Sequence, residues 1–447
     1  LGSLSWANTP VTTLSPDGNV NICLKLTVEG EPTYQVTYGG REIVGPSSLG
    51  LVFVETGPLT TKLTMGEIHR RSINETYPNP LGKTSMVANH CHESSVELME
   101  TQGAQRRLRV VLRAYNDGAA FRYEILPPPG AKNGDAFVLT DELTTFSFSP
   151  DAAAVYQPLP GFITTYENLY NQKPAAAITE KMLVTLPILF EMKTAPTTWA
   201  ALTEAALVDY AGMEVSGVAD RPGTLISKLA PWPEQDLIKV KGRYPHVSPW
   251  RVIMLADVPG RLLESNLIRN LNAPCAIEDT SWIAPGKTTW HWWNDTVAEN
   301  VDFTPGMNTA TMKYYIDFAS ANGIDFHALV FDAKGRIWYG TFDKNFDKED
   351  VTSVIGELDM PEILRYAQSK GVGIRLWVHW ANLAPKLEEA FTLYEKWGIK
   401  GLMVDFMNRD DQEMVQFCQK VLECAARHRL KIQFHGTSKP TGLERTW

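Results

Sequence analysis

The sequence has few cysteines and no long apolar run, and these absences exclude several classes of protein. Its 447 residues contain 5 cysteines, which are widely spaced and form no Cys-x-x-Cys pair. Neither a zinc knuckle nor a disulfide scaffold is therefore predicted. No run of about 18 apolar residues is present, so no membrane span is predicted. The sequence also contains no Gly-x-Ser-x-Gly motif, phosphate loop or dinucleotide fingerprint.

An excess of positive charge is missing as well. The formal net charge is −9, whereas nucleic-acid binders need a basic face. Neither nucleic acid nor an anionic membrane surface is expected as a partner. A hydrophobic content of 44% and a charged content of 21% are typical of folded globular chains with an ample core. The length predicts two or more domains.

Residues 1–270 are rich in strand signals. Short runs with alternating apolar and polar residues recur, and turn signals that contain glycine, asparagine, aspartate or proline separate them. Clear examples of the runs are residues 20–26, 34–38, 107–112 and 120–125. Strands at this spacing, with few helical patterns between them, predict a large antiparallel β-sandwich as the N-terminal domain.

The pattern changes after Pro274, and residues 271–447 alternate between strand and helix signals. This alternation predicts βα units and a parallel sheet. The predicted strands are 288–293, 326–331, 372–378, 401–406 and 430–434, and the predicted helices lie near 309–321, 359–370, 385–397 and 411–428. A complete (β/α)8 barrel takes about 250 residues. We therefore expect a (β/α)8-type barrel that is incomplete in this chain, with about five strands; an open five-stranded sheet is the alternative.

The apolar run at residues 401–406 contains one carboxylate, that of Asp405. A run without alternation is typical of a strand that is buried on both faces. In a (β/α) barrel, the carboxyl ends of the strands form the rim where the chemistry takes place. Asp405 is therefore a candidate catalytic residue. The structural alternative is that it caps the following helix or pairs with Arg409.

Aromatic and polar side chains also end the other four predicted strands. Aromatic faces beside carboxylates, imidazoles and amides suit a sugar, which has apolar C–H faces and a belt of hydroxyl groups. The candidate substrate-binding residues are Trp292, Trp293, Asp332, His379, Asn382, His435 and Lys439.

Each of several candidates has a structural alternative. The two tryptophans are equally consistent with packing between barrel and helix, and Asp332 with capping of the turn around Gly335. His379 is equally consistent with a satisfied interior histidine. His435 precedes a glycine and is equally consistent with a role in shaping its loop.

The chain resembles glycoside hydrolase family 97 at specific motifs. They are residues 404–407 with 409–412, residues 434–436 with 439–442, and residues 292–294, 249–252 and 165–167. The resemblance implies an N-terminal β-super-sandwich, a central (β/α)8 barrel and a small C-terminal β domain. It also implies an exo-acting α-glycosidase with one calcium ion at its site.

Asp405 matches the nucleophile position of the retaining, α-galactosidase-like branch of that family. The resemblance therefore implies a retaining exo-α-glycosidase of the α-galactosidase type, with an oligosaccharide, an α-galactoside or an α-glucoside as its substrate. Glu167 resembles a calcium ligand that the first domain contributes. The alternatives are an inverting α-glucosidase and a non-catalytic carbohydrate-binding protein.

The family's acid/base glutamate and its further calcium-binding glutamates lie beyond the fifth strand, and no residue of this chain matches them. We therefore expect the sequence to be a fragment of a longer coding sequence. Its start, Leu1-Gly2-Ser3, is expected to be processed or trimmed. The resemblance implies a periplasmic or secreted protein.

Overall fold

The computed structural model describes residues 9–80, 82–193, 196–342 and 348–447. The chain forms two compact units. The first contains Leu1–Cys275, Arg409–Gln416 and Ser438–Thr446, and the second contains Ala276–Asn408, Phe417–Thr437 and Trp447. The sequence predicts one boundary, between residues 270 and 271. In the structure, the first unit also contains two short segments of the C-terminal half of the chain.

The first unit is a large antiparallel β-sandwich, as the alternating pattern predicts. Alternation along its strands sends every second side chain to the core, which contains Val20, Ile22 and Leu24 from a single strand. Its strands are β1 (Val11–Leu14), β2 (Val20–Leu26), β3 (Pro32–Tyr38), β4 (Arg41–Ser48), β5 (Leu51–Phe53), β6 (Gly57–Leu59), β7 (Leu63–Pro78), β8 (Met86–Glu100), β9 (Arg107–Tyr115), β10 (Gly118–Leu126), β11 (Ala136–Glu142), β12 (Thr145–Ser147), β13 (Ala153–Leu159), β14 (Asn171–Pro174), β15 (Leu183–Met192), β16 (Thr198–Ala205), β17 (Met213–Val218), β18 (Arg221–Leu229), β19 (Val240–Arg243), β20 (His246–Val247) and β21 (Trp250–Ala256).

In the described part of this unit, the strands form one large sheet and one four-stranded sheet. The small sheet has the order β19-β11-β5-β6. Strands that are consecutive in the chain pair as hairpins, as β9 does with β10, where Tyr115 lies opposite Gly118. Two short helices, α1 (Pro259–Glu264) and α2 (Leu267–Asn270), follow the last strand.

The second unit contains five parallel strands that alternate with helices, as in part of a (β/α) barrel. The strands of this sheet are β22 (Thr288–Trp290), β23 (Phe326–Leu329), β26 (Gly373–His379), β27 (Gly401–Asp405) and β28 (Lys431–Phe434), in that spatial order; the hairpin of β24 (Arg336–Ile337) and β25 (Gly340–Thr341) follows β23. All five residues of β27 are buried, as expected for a strand with both faces covered.

The helices of the chain's C-terminal half lie close to their predicted ranges. They are α3 (Thr309–Ala321), α4 (Met360–Ser369), α5 (Trp380–Leu383), α6 (Leu387–Trp397) and α7 (Gln412–Arg427). Local signals set their ends. The Asp359 side chain accepts a hydrogen bond from the backbone N–H of Glu362 at the start of α4. Gly398, with φ of 76°, ends α6 in the left-handed conformation.

The first strand of the parallel sheet is shorter than predicted. It ends at Trp290, and His291–Asn294 form a 3-10 helix that Asp295 closes with φ of 62°. The buried imidazole of His291 is the physical reason. Its Nε2 accepts a hydrogen bond from the backbone N–H of Val330 at 3.2 Å, and its Nδ1 lies 3.2 Å from Thr296 Oγ1. Burial lowers the pKa of His291 to about 4, so the ring stays neutral.

Among the described residues, no helix is long and apolar enough to cross a membrane.

Candidate active site

Asp405 is the last residue of β27 and is almost completely buried, with 4% of its surface exposed. In the parallel register it lies opposite His379, the last residue of β26. These two strands therefore end at the same level, and both end in a polar side chain. This is the arrangement that the strand-end pattern predicts for the carboxyl rim of a barrel.

Three N–H groups surround the Asp405 carboxylate. The indole Nε1 of Trp377 donates to Oδ2 at 2.8 Å, and the backbone N–H of Phe406 donates to Oδ1 at 2.6 Å. His435 Nδ1 lies 3.1 Å from Oδ1. Such bonds fix the orientation of the carboxylate. Since a carboxylate has about four acceptor positions, one remains for a reacting atom.

Gly436 allows the loop after β28 to approach this carboxylate. Its φ is 55°, and a Cβ at this position would lie only 2.7 Å from Asp405 Oδ1. Gly436 therefore shapes this loop, which is the role that the sequence analysis gave as the alternative for His435. His435 itself contacts Asp405, and 42% of its side chain is exposed.

Aromatic rings around Asp405 were missed by the sequence prediction. Phe406, with φ of 65°, stacks on His379 at 5.7 Å between ring centroids, and Trp290 meets His435 edge-on at 5.7 Å. Trp377 had a signal that was overlooked. It precedes His379 by two residues, so the two side chains lie on the same side of β26.

His379 and Asn382 share the hydroxyl group of Tyr339. The backbone N–H of His379 donates to this oxygen at 3.1 Å, and Asn382 Nδ2 donates to it at 3.3 Å. His379 Nδ1 also accepts from the Ala381 backbone N–H and caps α5. Asn382 is 2% exposed, and its Oδ1 has no hydrogen-bond partner among the described residues. A buried acceptor without a partner is suited to a ligand hydroxyl.

The two adjacent tryptophans of the 3-10 helix differ in exposure. Trp292 is 39% exposed and contacts Phe331 at 5.4 Å between ring centroids, whereas Trp293 is 82% exposed. Packing between barrel and helix therefore does not account for Trp293. An exposed indole face of this kind is available for stacking on a sugar.

Asp332 is engaged by its own loop. Its Oδ1 accepts from the backbone N–H groups of Lys334 and Arg336, and its Oδ2 accepts from Arg336 Nε and the Met307 backbone N–H. Burial alone would raise the pKa of Asp332, but these bonds and the Arg336 charge outweigh it and lower that pKa. The turn-capping alternative accounts for the contacts with Lys334 and Arg336.

Glu167 lies in an exposed loop of the first unit, after Tyr166 with φ of 58°. Calcium takes six to eight oxygen ligands. Within the described ranges, the one group of three or more metal-ligating side chains does not include Glu167. Among the described histidine, cysteine, aspartate and glutamate side chains, no group of three ligands therefore forms around this carboxylate.

Lys439 lies in the first unit, with its ammonium group buried among three carboxylates. Its Nζ is 2.9 Å from Glu204, 3.1 Å from Asp410 and 3.7 Å from Glu214. Burial alone would lower the pKa of Lys439, but the carboxylates hold it above its ordinary value. Three carboxylates thus surround the ammonium group, and the observed contacts of this predicted substrate ligand are structural. We name these four residues the Lys439 cluster.

Glu214 makes the stability of the first unit depend on pH. Burial and the Asp410 carboxylate raise the pKa of Glu214 well above its ordinary value of 4.5, which Lys439 only partly offsets. A raised carboxyl pKa means that the folded state binds the proton more tightly, so this stabilisation is present below pH 4.5 and is lost as pH rises through the folded pKa. We expect Glu214→Gln to become more stable relative to the parent protein as pH rises from about 4.5 to 8.

Urea unfolding of both proteins across this pH range measures the effect. Asp135, an exposed carboxylate of the same unit, provides the control variant Asp135→Asn, for which we expect no comparable trend. A constant difference between Glu214→Gln and the parent protein at all pH values would contradict the prediction.

Comparison with known proteins gives the family. The family model described as Glycosyl-hydrolase 97 N-terminal matches residues 13–274, and the model described as Glycoside hydrolase 97 matches residues 292–447. The chain belongs to the glycoside hydrolase 97 family. This confirms the resemblance on which the sequence analysis relies.

Proteins with similar sequences or structures agree with the assignment. A protein named retaining α-galactosidase from Bacteroides thetaiotaomicron is 31% identical over 461 residues, which cover 98% of this chain and 66% of that protein. A family 97 enzyme from Pseudoalteromonas sp. strain K8, solved in complex with acarbose, is 28% identical with a TM-score of 0.86. The match covers 98% of this chain and 68% of the Pseudoalteromonas chain. A β-arabinopyranosidase at 24% identity, with a TM-score of 0.81 and the same coverages, shares the fold. The chain thus spans about two thirds of each relative.

Proposed function

We propose that the protein is a retaining exo-α-glycosidase that acts on α-galactosides, with Asp405 as the nucleophile. The observation that carries the proposal is the buried Asp405 carboxylate at the end of β27, oriented by three N–H groups. A fixed anion at a strand end is what attack on an anomeric carbon requires. The relative named retaining α-galactosidase supports the same reaction.

In the first half of the reaction, a carboxylate oxygen of Asp405 attacks the anomeric carbon while the bond to the leaving oxygen breaks. A second carboxyl group, about 5–5.5 Å from the first in retaining enzymes, protonates that oxygen. Water then hydrolyses the glycosyl–Asp405 ester, and the same carboxyl group takes the proton. No residue of this chain is assigned to the acid/base role.

We propose that aromatic and amide groups of the second unit bind the sugar. The exposed face of Trp293 would stack on its C–H surface, and the unpartnered Oδ1 of Asn382 would accept from a hydroxyl. Trp292, His379 and His435 are further contacts. The acarbose complex of the Pseudoalteromonas enzyme supports an oligosaccharide as substrate.

Trp377 is predicted to position the nucleophile. Trp377→Phe keeps an aromatic ring but removes the donor to Asp405 Oδ2. Since a hydrogen bond to a charged group is worth about 1.5–3 kcal/mol, we expect kcat to fall roughly 10- to 100-fold with a smaller change in KM. Trp397→Phe is the matched control, because Trp397 packs on Trp338 and Tyr394. Equal kcat values for Trp377→Phe and the parent enzyme would show that Trp377 does not position the nucleophile.

We also propose Glu167 as one calcium ligand. When bound, calcium would supply a fixed positive charge. Calcium titration by isothermal calorimetry tests the ligand: Glu167→Gln should bind calcium at least tenfold more weakly, and an unchanged affinity would exclude this role of Glu167.

We further propose a periplasmic or secreted location. Cell fractionation tests the location, and recovery in the cytosol would contradict it.

The inverting α-glucosidase is the second candidate, because the Pseudoalteromonas enzyme was also solved with panose, a trisaccharide of α-linked glucose. NMR of the first product formed from an α-galactoside separates the two. The α-anomer supports retention, and the β-anomer supports inversion. Binding of saccharides without hydrolysis by the complete enzyme would favour the non-catalytic alternative.

A further inference from the structure

Helix α6 and the end of α7 bring together a glutamate, a cysteine and a histidine in the second unit. Cys424 Sγ lies 3.2 Å from Glu388 Oε2, and His428 Nε2 lies 3.0 Å from Glu388 Oε1. One ligand atom from each residue lies within 4.8 Å of the others. We propose that Glu388, Cys424 and His428 form a zinc-binding site.

The spacing of the three residues suits chelation. Cys424 and His428 are four residues apart, and the backbone N–H of His428 donates to the Cys424 carbonyl at 3.2 Å, as in a helical turn. Their side chains therefore project from one face. Tetrahedral zinc, with bonds of about 2.0–2.3 Å, places its ligand atoms roughly 3.2–3.8 Å apart. The two observed separations from Glu388, 3.2 Å to Cys424 Sγ and 3.0 Å to His428 Nε2, are close to these values.

A fourth residue orients the histidine. His428 Nδ1 lies 2.7 Å from Glu395 Oε2, on α6. When Nδ1 carries the proton and donates it to Glu395, Nε2 presents its lone pair to the space shared with Glu388 and Cys424. A carboxylate behind a histidine ligand is the usual outer partner in zinc sites. This contact is independent of the three ligand atoms and points to the same role.

The chemistry of the donors selects the metal. A thiolate, an imidazole and a carboxylate together are a typical zinc set, whereas calcium and magnesium prefer oxygen ligands alone. Cys424 is 2% exposed, while 64% of the Glu388 side chain is exposed. The ion would therefore lie at the surface with one position open to water. The Arg427 guanidinium, 2.8 Å from Glu388 Oε2, opposes the cation at that oxygen, whereas Oε1 faces His428 Nε2.

Cobalt(II) and zinc titrations of the complete purified protein test the site. We expect one equivalent of cobalt to produce a thiolate-to-cobalt absorption band in the near ultraviolet, which zinc displaces. Cys424→Ala and His428→Ala should lose the band, and Glu395→Gln should weaken zinc binding about 10- to 100-fold. Arg427→Gln should bind zinc equally or more tightly.

Cys275→Ala is the matched control, because Cys275 is an exposed cysteine of the first unit. It should keep both the band and the zinc affinity. Thermal unfolding without metal shows that each variant is folded. The proposal is overturned if cobalt gives no thiolate band, or if zinc affinity in folded Cys424→Ala stays within threefold of the parent value. The result is independent of the glycosidase proposal, since no readout uses a sugar.

Discussion

Asp405→Asn is expected to lower kcat for an aryl α-galactoside by roughly 10⁴-fold or more. Loss of a nucleophile has effects of this size in other hydrolases that form covalent intermediates. The amide keeps the size of the side chain but cannot form the glycosyl ester. The amide has a single oxygen, so only one of the two donors, Trp377 Nε1 or the Phe406 backbone N–H, keeps an oxygen acceptor. Thermal unfolding shows whether the variant is folded. Steady-state kinetics with the complete enzyme measure the change.

Asp405→Gly gives a complementary test. Removal of the side chain leaves room for a small anion, and azide should restore turnover of an activated aryl α-galactoside and yield β-galactosyl azide. Asp279→Asn is the matched control, because Asp279 is in the same unit and 55% of its side chain is exposed. A kcat of Asp405→Asn above a tenth of the parent value would exclude the nucleophile role.

Lys439→Met is expected to lower the free energy of unfolding by about 3–5 kcal/mol. Removing one member of a buried ion pair leaves uncompensated charge in a low-dielectric interior, and the Lys439 cluster is at most 2% exposed at each side chain. Arg251, 2.6 Å from Glu204, keeps one of these carboxylates paired. The Asp410 carboxylate loses its cation. Urea unfolding at neutral pH measures the difference.

A surface lysine of the first unit provides the control for this experiment. Lys193 lies 3.7 Å from Asp151, and the two side chains are 65% and 61% exposed. Lys193→Met should therefore cost no more than about 1 kcal/mol. The double variant Lys439→Met with Asp410→Asn should recover part of the loss, since it removes the unpaired charge. A loss below about 1 kcal/mol for Lys439→Met would show that the cluster is not held by this ammonium group.

Local pattern alone was enough to predict the two kinds of structure in this chain. Alternation of apolar residues identifies strands such as β2, and Asp359 and Gly398 identify the start of α4 and the end of α6. These features depend on a residue and its nearest neighbours along the chain, so they can be read from sequence. The position of Asp405 at the end of β27 follows in the same way from an apolar run that stops.

The partners of these side chains could not be predicted. Asp405 takes its donors from Trp377 and His435, which are 28 and 30 residues away in sequence. Lys439 takes its acceptors from Glu204, Glu214 and Asp410. A strand-end pattern therefore grouped Lys439 with the sugar ligands, although its charge is used inside the first unit.

The sequence by itself thus determined the family, the change from β-sandwich to βα units, and the strand that ends in Asp405. Only the tertiary structure decided which N–H groups hold that carboxylate, that His291–Asn294 leave the strand, and that Lys439 is buried. The physical reason is that periodicity and capping act over a few residues. Hydrogen bonds and ion pairs between distant segments form only when packing brings those segments together.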